Sequence, residues 1–170
     1  SSAGWERAVC IFINEGIWKS GWDYDRNERG SYMEKIRCVA TAAFGIESVL
    51  AYEIKALGFE GVEVCNGYVE FDSDLLGICR SNLWLRTAER VFVKVGAFPA
   101  VTFEALFQGV KALPWELWLD ENSEFPVSGK SVKSALFSVS DCQAITKKAI
   151  VERMKEHTGI AWFPEKGPRL

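Results

Sequence analysis

Histidine is the scarcest chemically active residue in this chain, since it occurs once, at His157. A single histidine cannot build a histidine-based metal cluster, and no serine or cysteine has a neighbouring histidine in the sequence to activate it as a nucleophile. His157 falls in the last turn of a predicted helix, where a cation interacts favourably with the helix dipole. The sequence therefore predicts no catalytic centre in this chain.

Paired cysteines and long apolar runs are also missing. The five cysteines are odd in number and never spaced C-x-x-C, which argues against a disulfide framework and a zinc site and favours a reducing compartment. No apolar run approaches the roughly 20 residues that span a bilayer. The apolar run at residues 8–13 is short and lacks a basic leader. We therefore expect a cytoplasmic protein with no membrane segment and no metal.

The sequence also gives no support for a nucleotide-binding loop. The tripeptide Gly129-Lys130-Ser131 ends like a phosphate-binding loop, but the first glycine of that motif falls on Glu124. No G-x-G-x-x-G occurs, so a dinucleotide site is also unsupported.

Charge is unevenly distributed along the chain, although the net charge is only −3. Residues 100–127 carry one basic residue against five acids, whereas residues 128–155 carry two acids against six basic residues. The six are Lys130, Lys133, Lys147, Lys148, Arg153 and Lys155. A basic C-terminal region on an acidic body is compatible with a localised anion-binding face.

Residues 33–98 show the pattern of a ferredoxin-like domain, and residues 1–32 form an N-terminal extension of unclear role. A strand at residues 36–41, a helix ending at Gly58, a hairpin at Asn66-Gly67, a second helix and a strand at residues 91–95 follow in order β-α-β-β-α-β. Asp72 or Ser73 is the expected cap of the second helix. The expected buried stripes are Ile46, Val49, Leu50, Ile54 and Leu57 on the first helix, and Leu75, Leu76, Cys79 and Leu83 on the second.

Residues 99–170 form a second, incomplete α+β domain by their pattern. A helix is predicted across residues 102–112, stopped by Pro114, followed by a strand that runs into a polar loop across residues 125–134. Ser140 and Gln143 form the capping box of a last helix, which buries Cys142, Ile145 and Ala149 and ends at Gly159. No closing strand follows.

The basic segment is the one feature with binding chemistry. Lysines next to serine hydroxyls in the polar loop suit contacts with phosphate and ribose. On the last helix Lys147, Lys148 and Lys155 fall opposite the predicted stripe. A solvated helix face, with Lys148 pairing to Glu152, explains the same spacing without any ligand.

Four blocks of sequence resemble the N-terminal part of bacterial THUMP-containing RNA methyltransferases, in the branch that modifies guanine N2 of large-subunit ribosomal RNA. The blocks are GIESVLAYEIKALGF, NGYVEF, SNLWLRTAERVFVKVG and FPVSGKSVKSALFSVSDCQAITKKAIVERM. The resemblance implies a ferredoxin-like domain followed by a THUMP domain, which together present structured RNA, most simply ribosomal RNA, to a separate catalytic domain. That domain, on the same or another polypeptide, would use S-adenosylmethionine; its N-P-P-[YF]-type motif is absent here.

The resemblance also implies which residues contact RNA. It aligns the polar loop and the last helix with the RNA-facing region of the family, and a weaker basic stretch with the end of the ferredoxin-like domain. Arg90 could instead pair with an acid that holds the two domains together. The implied contacts are Lys130, Ser131, Lys133, Ser134, Lys147, Lys148, Arg86 and Arg90.

Two alternatives remain open from the sequence. A protein-interaction or assembly module would use exposed sheet edges and the aromatic residues Trp115, Trp118, Trp162 and Phe163. A small-molecule sensor would need a pocket with convergent polar groups, and no sequence feature indicates one.

Overall fold

The computed structural model describes residues 8–14, 35–119, 125–129 and 136–159. Their contacts divide the chain into two units. The first unit contains described residues 12–14 and 35–94, and the second contains 8–11, 95–119, 125–129 and 136–159. The elements in order are β1 (Ala8–Asn14), β2 (Ile36–Ala42), α1 (Glu47–Ala56), β3 (Glu60–Cys65), β4 (Tyr68–Ser73), α2 (Leu75–Trp84), β5 (Ala88–Pro99), α3 (Phe103–Lys111), a 3₁₀ turn (Trp115–Leu117) and α4 (Val139–Thr158).

The first unit has the predicted ferredoxin-like order of elements. Within this unit the strand order is β5-β2-β4-β3, and β2 is antiparallel to both β4 and β5 while β3 is antiparallel to β4. Because side chains alternate along a strand, one face collects small and aliphatic residues. Those residues and the inward side chains of the two helices form the core: Cys38, Ala40, Val69, Phe71, Val91, Val93, Leu50, Ile54 and Ile78.

Two glycines close the turns that the sequence indicated. Gly67 has φ of +83° in the β3–β4 hairpin, and Gly58 has φ of +84° just after α1. A residue without Cβ adopts this left-handed backbone at little cost. The predicted hairpin and helix end are confirmed.

The cap and the buried side of α2 differ from the prediction. Asp74, and not Asp72 or Ser73, caps the helix by accepting a hydrogen bond from the Gly77 amide. The buried side consists of Gly77, Ile78 and Ser81. The helix approaches the sheet closely at Gly77, where an added Cβ would lie 2.3 Å from Ser73 Oγ and 2.8 Å from Phe59 Cε1. The four predicted core residues are therefore wrong: Leu76, Cys79 and Leu83 are exposed and Leu75 is half-buried.

The predicted stripe of α1 is partly right. Leu50 and Ile54 are buried, together with Ala51, whereas Val49 is exposed and Ile46 and Leu57 are half-buried.

The second unit contains α3 packed against α4. Thr102 caps α3 through its side chain, which accepts from the Ala105 amide. The indole Nε1 of the buried Trp115 donates to the Val110 carbonyl at 2.7 Å, which ties the 3₁₀ turn to the end of α3. The predicted helix before Pro114 is confirmed.

The start and buried side of α4 also differ from the prediction. Its N-cap is Ser138, whose hydroxyl donates to the Asp141 carboxylate, so the expected box of Ser140 with Gln143 does not form. The buried residues are Thr146, Ala149, Ile150 and Met154; of the predicted stripe, Ala149 is buried while Cys142 and Ile145 are half-buried. Gly159 ends the helix in the left-handed region, as predicted.

The strand predicted across residues 125–134 is absent from its described part. Residues 125–129 have neither helical nor strand structure. Residues 130–134 of the prediction, and the segment from residue 160 onward, lie outside the described residues.

Candidate nucleic-acid interface

The predicted contact residues fall into three groups. Lys130, Ser131, Lys133 and Ser134 lie outside the described residues. Lys147 and Lys148 are exposed on α4 in the second unit, and Arg86 and Arg90 are exposed at the start of β5 in the first unit.

Helix α4 exposes three lysines to solvent. Thr146, Ala149, Ile150 and Met154 face the core, so the side chains of Lys147, Lys148 and Lys155 lie on the exposed part of the helix. Among the described residues, neither Lys147 nor Lys148 has a carboxylate within 4.0 Å, so the alternative pairing of Lys148 with Glu152 is not formed. Instead the ammonium of Lys148 lies 5.9 Å from the centre of the Phe107 ring, a contact that leaves its charge available.

Two other basic residues of this unit are neutralised. Arg153 donates two hydrogen bonds to Glu116, at 2.7 and 3.2 Å, and Lys111 donates to Glu156 at 2.6 Å. Hydrogen bonding from Arg153 lowers the pKa of Glu116 despite partial burial. These pairs tie α4 to the 3₁₀ turn and to α3, so their charges serve packing.

The start of the predicted polar loop lies beside α4. A Cβ added at Gly129 would be 3.8 Å from Val139 Cγ1 and from Gln143 Cγ. Gly129 therefore lies next to the first turns of the helix that bears Lys147.

The two arginines of the first unit, Arg86 and Arg90, follow the end of α2 in the chain. The backbone amides of Arg86 and Thr87, and the Thr87 hydroxyl, all donate to Glu53 Oε2, at 3.1, 3.1 and 2.8 Å. Partial burial alone would raise the pKa of Glu53, but the hydrogen bonds from Thr87 and Arg86 outweigh it and the pKa is lowered. Among the described residues the guanidinium groups of Arg86 and Arg90 form no ion pair within 4.0 Å.

The described residues contain few other groups that could form a metal site or a catalytic site. No group of three or more His, Cys, Asp or Glu within them is placed to hold a metal ion. His157 is exposed in the last turn of α4. Burial and the neighbouring Asp141 raise the pKa of the Cys142 thiol, which opposes formation of a nucleophilic thiolate. Over the same residues, no helix has the length and apolarity needed to cross a membrane.

Two family models match the chain side by side. The RlmL ferredoxin-like domain matches residues 37–92, and the THUMP domain matches residues 100–170.

Known proteins match the same region. The chain is 53% identical over 137 residues to the Bacillus subtilis protein named "Putative RNA methyltransferase YpsC" and 32% identical over 120 residues to the ribosomal RNA large subunit methyltransferase K/L of Methylococcus capsulatus. These matches cover 79% and 71% of this chain but 35% and 16% of the relatives. The crystal structure of a "predicted N6-adenine-specific DNA methylase" from Listeria monocytogenes matches with a TM-score of 0.72 and 52% identity, over 74% of this chain and 33% of that one.

Fold and matches together define an α+β protein in which a ferredoxin-like domain precedes a THUMP domain. The chain belongs to the family of THUMP-containing RNA methyltransferases and corresponds to the N-terminal region of its members. It spans about a third of the Bacillus relative.

Proposed function

We propose that this chain binds structured RNA and presents it to a methyltransferase domain. The observation that carries the proposal is the exposed pair Lys147 and Lys148 on α4, whose charges no described carboxylate neutralises, within a domain of the THUMP family. The names of the Bacillus and Methylococcus relatives support RNA as the ligand.

The binding mechanism is electrostatic and shape-based. Ammonium groups on α4 neutralise phosphates, and Lys130, Ser131, Lys133 and Ser134 of the predicted polar loop add phosphate and ribose contacts, with Arg86 and Arg90 as further contacts. Contacts to phosphate and ribose carry little sequence information, so the choice of nucleotide belongs to the catalytic domain, which must extract the target base.

The finer assignment rests on the family. We propose ribosomal RNA as the natural ligand, guanine N2 as the modified atom and S-adenosylmethionine as the cofactor of the catalytic domain, on the same or another polypeptide. The cytoplasm, where ribosomal RNA is modified, fits the cysteine pattern of the chain.

A fluorescence-anisotropy titration with a ribosomal RNA hairpin tests the proposal. Affinity should fall steeply between about 50 mM and about 200 mM salt, because phosphate contacts release counterions. Lys147→Ala/Lys148→Ala should weaken binding and reduce the slope of log affinity against log salt by about 2. A DNA hairpin of the same sequence measures how far the 2′-hydroxyls contribute.

The matched control is Lys35→Ala/Lys55→Ala, which removes two exposed lysines from the first unit. If both double variants weaken binding equally, net charge and not the α4 surface determines affinity. If the native chain does not bind RNA at low salt, the proposal is wrong.

A further inference from the structure

Basic side chains connect α4 to α3 and to the 3₁₀ turn in two chemically different ways. In the first way, Arg153 and Lys111 bind carboxylates at 2.7 and 2.6 Å, which neutralises their charges. In the second way, the ammonium of Lys148 on α4 lies over the ring of Phe107 on α3, 5.9 Å from the ring centre. An aromatic ring attracts a cation through its quadrupole and has no net charge of its own. The contact with Phe107 therefore holds Lys148 without neutralising it.

Phe107 is suited to hold a lysine because the ring belongs to the packed part of the unit. The side chain is half-buried, its neighbours Leu106 and Val110 on α3 are buried, and α3 packs against α4. A ring packed in this way has little rotamer freedom. The helix pair therefore defines the position that the ring gives to the ammonium.

An exposed lysine without such a contact is costly to fix. Its side chain has many rotamers, and a ligand that immobilises it must overcome the loss of conformational freedom. An ammonium that already lies over a ring loses less freedom when a phosphate binds. The three N–H donors of the ammonium also allow it to bind the phosphate while it stays over the ring. Among the described residues, Lys147 is exposed and has neither a ring nor a carboxylate in contact.

We infer that Phe107 is a positioning residue for RNA binding, because its ring holds the Lys148 ammonium in place for a phosphate and leaves the charge intact. The inference rests on the proposed RNA-binding function and deepens it, since it assigns a role to an uncharged residue of α3 beside the lysines of α4. If the ring instead competed with phosphate for the ammonium, removal of the ring would strengthen RNA binding. The sign of the effect therefore separates positioning from competition.

A double-mutant cycle between Phe107 and Lys148 tests the inference, with a ribosomal RNA hairpin as the probe in fluorescence anisotropy. Phe107→Leu keeps an apolar side chain and removes the ring, so binding should weaken about threefold, as for a cation–π contact at an exposed site. Phe107→Tyr keeps the ring and should bind within about 1.5-fold of the native chain. In a Lys148→Ala chain, Phe107→Leu should change the affinity by less than about 1.5-fold, because no ammonium is left for the ring to hold.

The salt dependence of binding distinguishes a positioning role from the loss of a contact. Lys148→Ala removes a phosphate contact and should reduce the slope of log affinity against log salt by about 1. Phe107→Leu leaves the number of contacted phosphates unchanged, so the slope should keep its native value while the affinity falls. A side chain with a merely structural role would change thermal unfolding without this dependence on Lys148.

Phe103→Leu is the matched control. Phe103 lies one turn before Phe107 on α3 and is 41% exposed, and no cation of the described residues lies over its ring. The substitution should leave RNA affinity within about 1.5-fold, as expected for a residue outside the binding contacts. Thermal unfolding of every variant checks that the fold is intact.

A measurement on the native chain tests the inference even if Phe107→Leu does not fold. In a proton–carbon NMR spectrum, the ring current of Phe107 should shift the ε-methylene protons of Lys148 upfield relative to those of Lys147. The shift should persist when the RNA hairpin is bound, because the ammonium binds phosphate from its place over the ring. No shift in the free chain, or loss of the shift on binding, overturns the inference.

The outcomes of the binding experiments differ for each possibility. Weaker binding by Phe107→Leu that depends on Lys148, with an unchanged salt slope, supports the inference. Stronger binding, or the same loss with and without Lys148, overturns it. Native binding by Phe107→Leu, together with a loss in Lys147→Ala/Lys148→Ala, overturns the positioning role and leaves the proposed function standing. No RNA binding at low salt overturns both proposals.

Discussion

Arg153 holds Glu116 through two hydrogen bonds, from Nη2 to Oε1 at 2.7 Å and from Nε to Oε2 at 3.2 Å. The fork of the guanidinium matches the carboxylate, which makes this geometry stronger than a single contact. The pair joins α4 to the 3₁₀ turn, and so holds the helix that exposes Lys147 and Lys148. Arg153 counts among the six basic residues of the C-terminal region, but its pairing with Glu116 makes it a structural residue.

Glu116→Gln should lower stability in a pH-dependent way. The pair is partly exposed, with 32% of the Arg153 side chain and 19% of the Glu116 side chain accessible, so we expect a loss of about 1 kcal/mol at neutral pH. Because the pKa of Glu116 is lowered in the folded state, the stabilisation is complete above the unfolded carboxyl value and is lost as pH falls through the folded pKa. Urea unfolding of both proteins from pH 7 to pH 3 should show the difference shrinking; a constant difference would contradict this account.

Glu70→Gln should cost far more than the loss of an exposed acid in the same network. The Glu70 side chain is only 5% exposed and accepts from Lys94 Nζ at 2.7 Å and from Arg37 Nε at 3.1 Å. Removing its charge takes a charged partner from both Lys94 and Arg37 at a largely buried position, so we expect a loss of about 3 kcal/mol. Glu63 also pairs with Arg37, at 2.9 Å, but its side chain is 65% exposed. Glu63→Gln should therefore change the free energy of unfolding by less than about 1 kcal/mol, and equal losses in the two variants would disprove the distinction.

Gly77→Ala should destabilise the first unit although alanine favours helices. An added Cβ would lie 2.8 Å from Phe59 Cε1, and Phe59 is itself held against Phe71 at 5.0 Å between ring centres. We expect a net loss of about 2 kcal/mol, since overpacking outweighs the gain of about 1 kcal/mol in helix propensity. Cys79→Ala, at an exposed position of the same helix, should stay within about 0.5 kcal/mol. Thermal unfolding of both variants measures the contrast, and a stabilised Gly77→Ala protein would rule out the close approach.

The order of the elements was predictable because each one has a local signal. Asn66-Gly67 turns the hairpin, Gly58 and Gly159 end their helices, and Pro114 stops α3. These signals act through backbone conformation at single positions, which needs no tertiary contact. The predicted domain limits at 33–98 and 99–170 stay predictions, as do the RNA-contact roles of the lysines and arginines.

The buried sides of α2 and α4 were not predictable in the same way. The helical spacing of apolar residues predicted that Leu76 and Leu83 are buried. The close approach of α2 to Phe59 instead places Gly77 on the buried side. The burial of Thr146 on α4 likewise contradicts its polarity. Which side of a helix is buried depends on the distance of closest approach to the neighbouring element, and that distance is a property of the assembled fold.

The sequence by itself determined the α+β class, the strand and helix order of the first unit, and the poverty of histidine and paired cysteine that led us to expect no catalytic centre. Only the tertiary structure decided which basic side chains keep their charge for a ligand. Arg153 and Lys111 are neutralised by carboxylates 37 and 45 residues away, whereas Lys147 and Lys148 have no such partner among the described residues. Ion pairs of this kind join residues distant in sequence, so they are set by the packing of elements against one another.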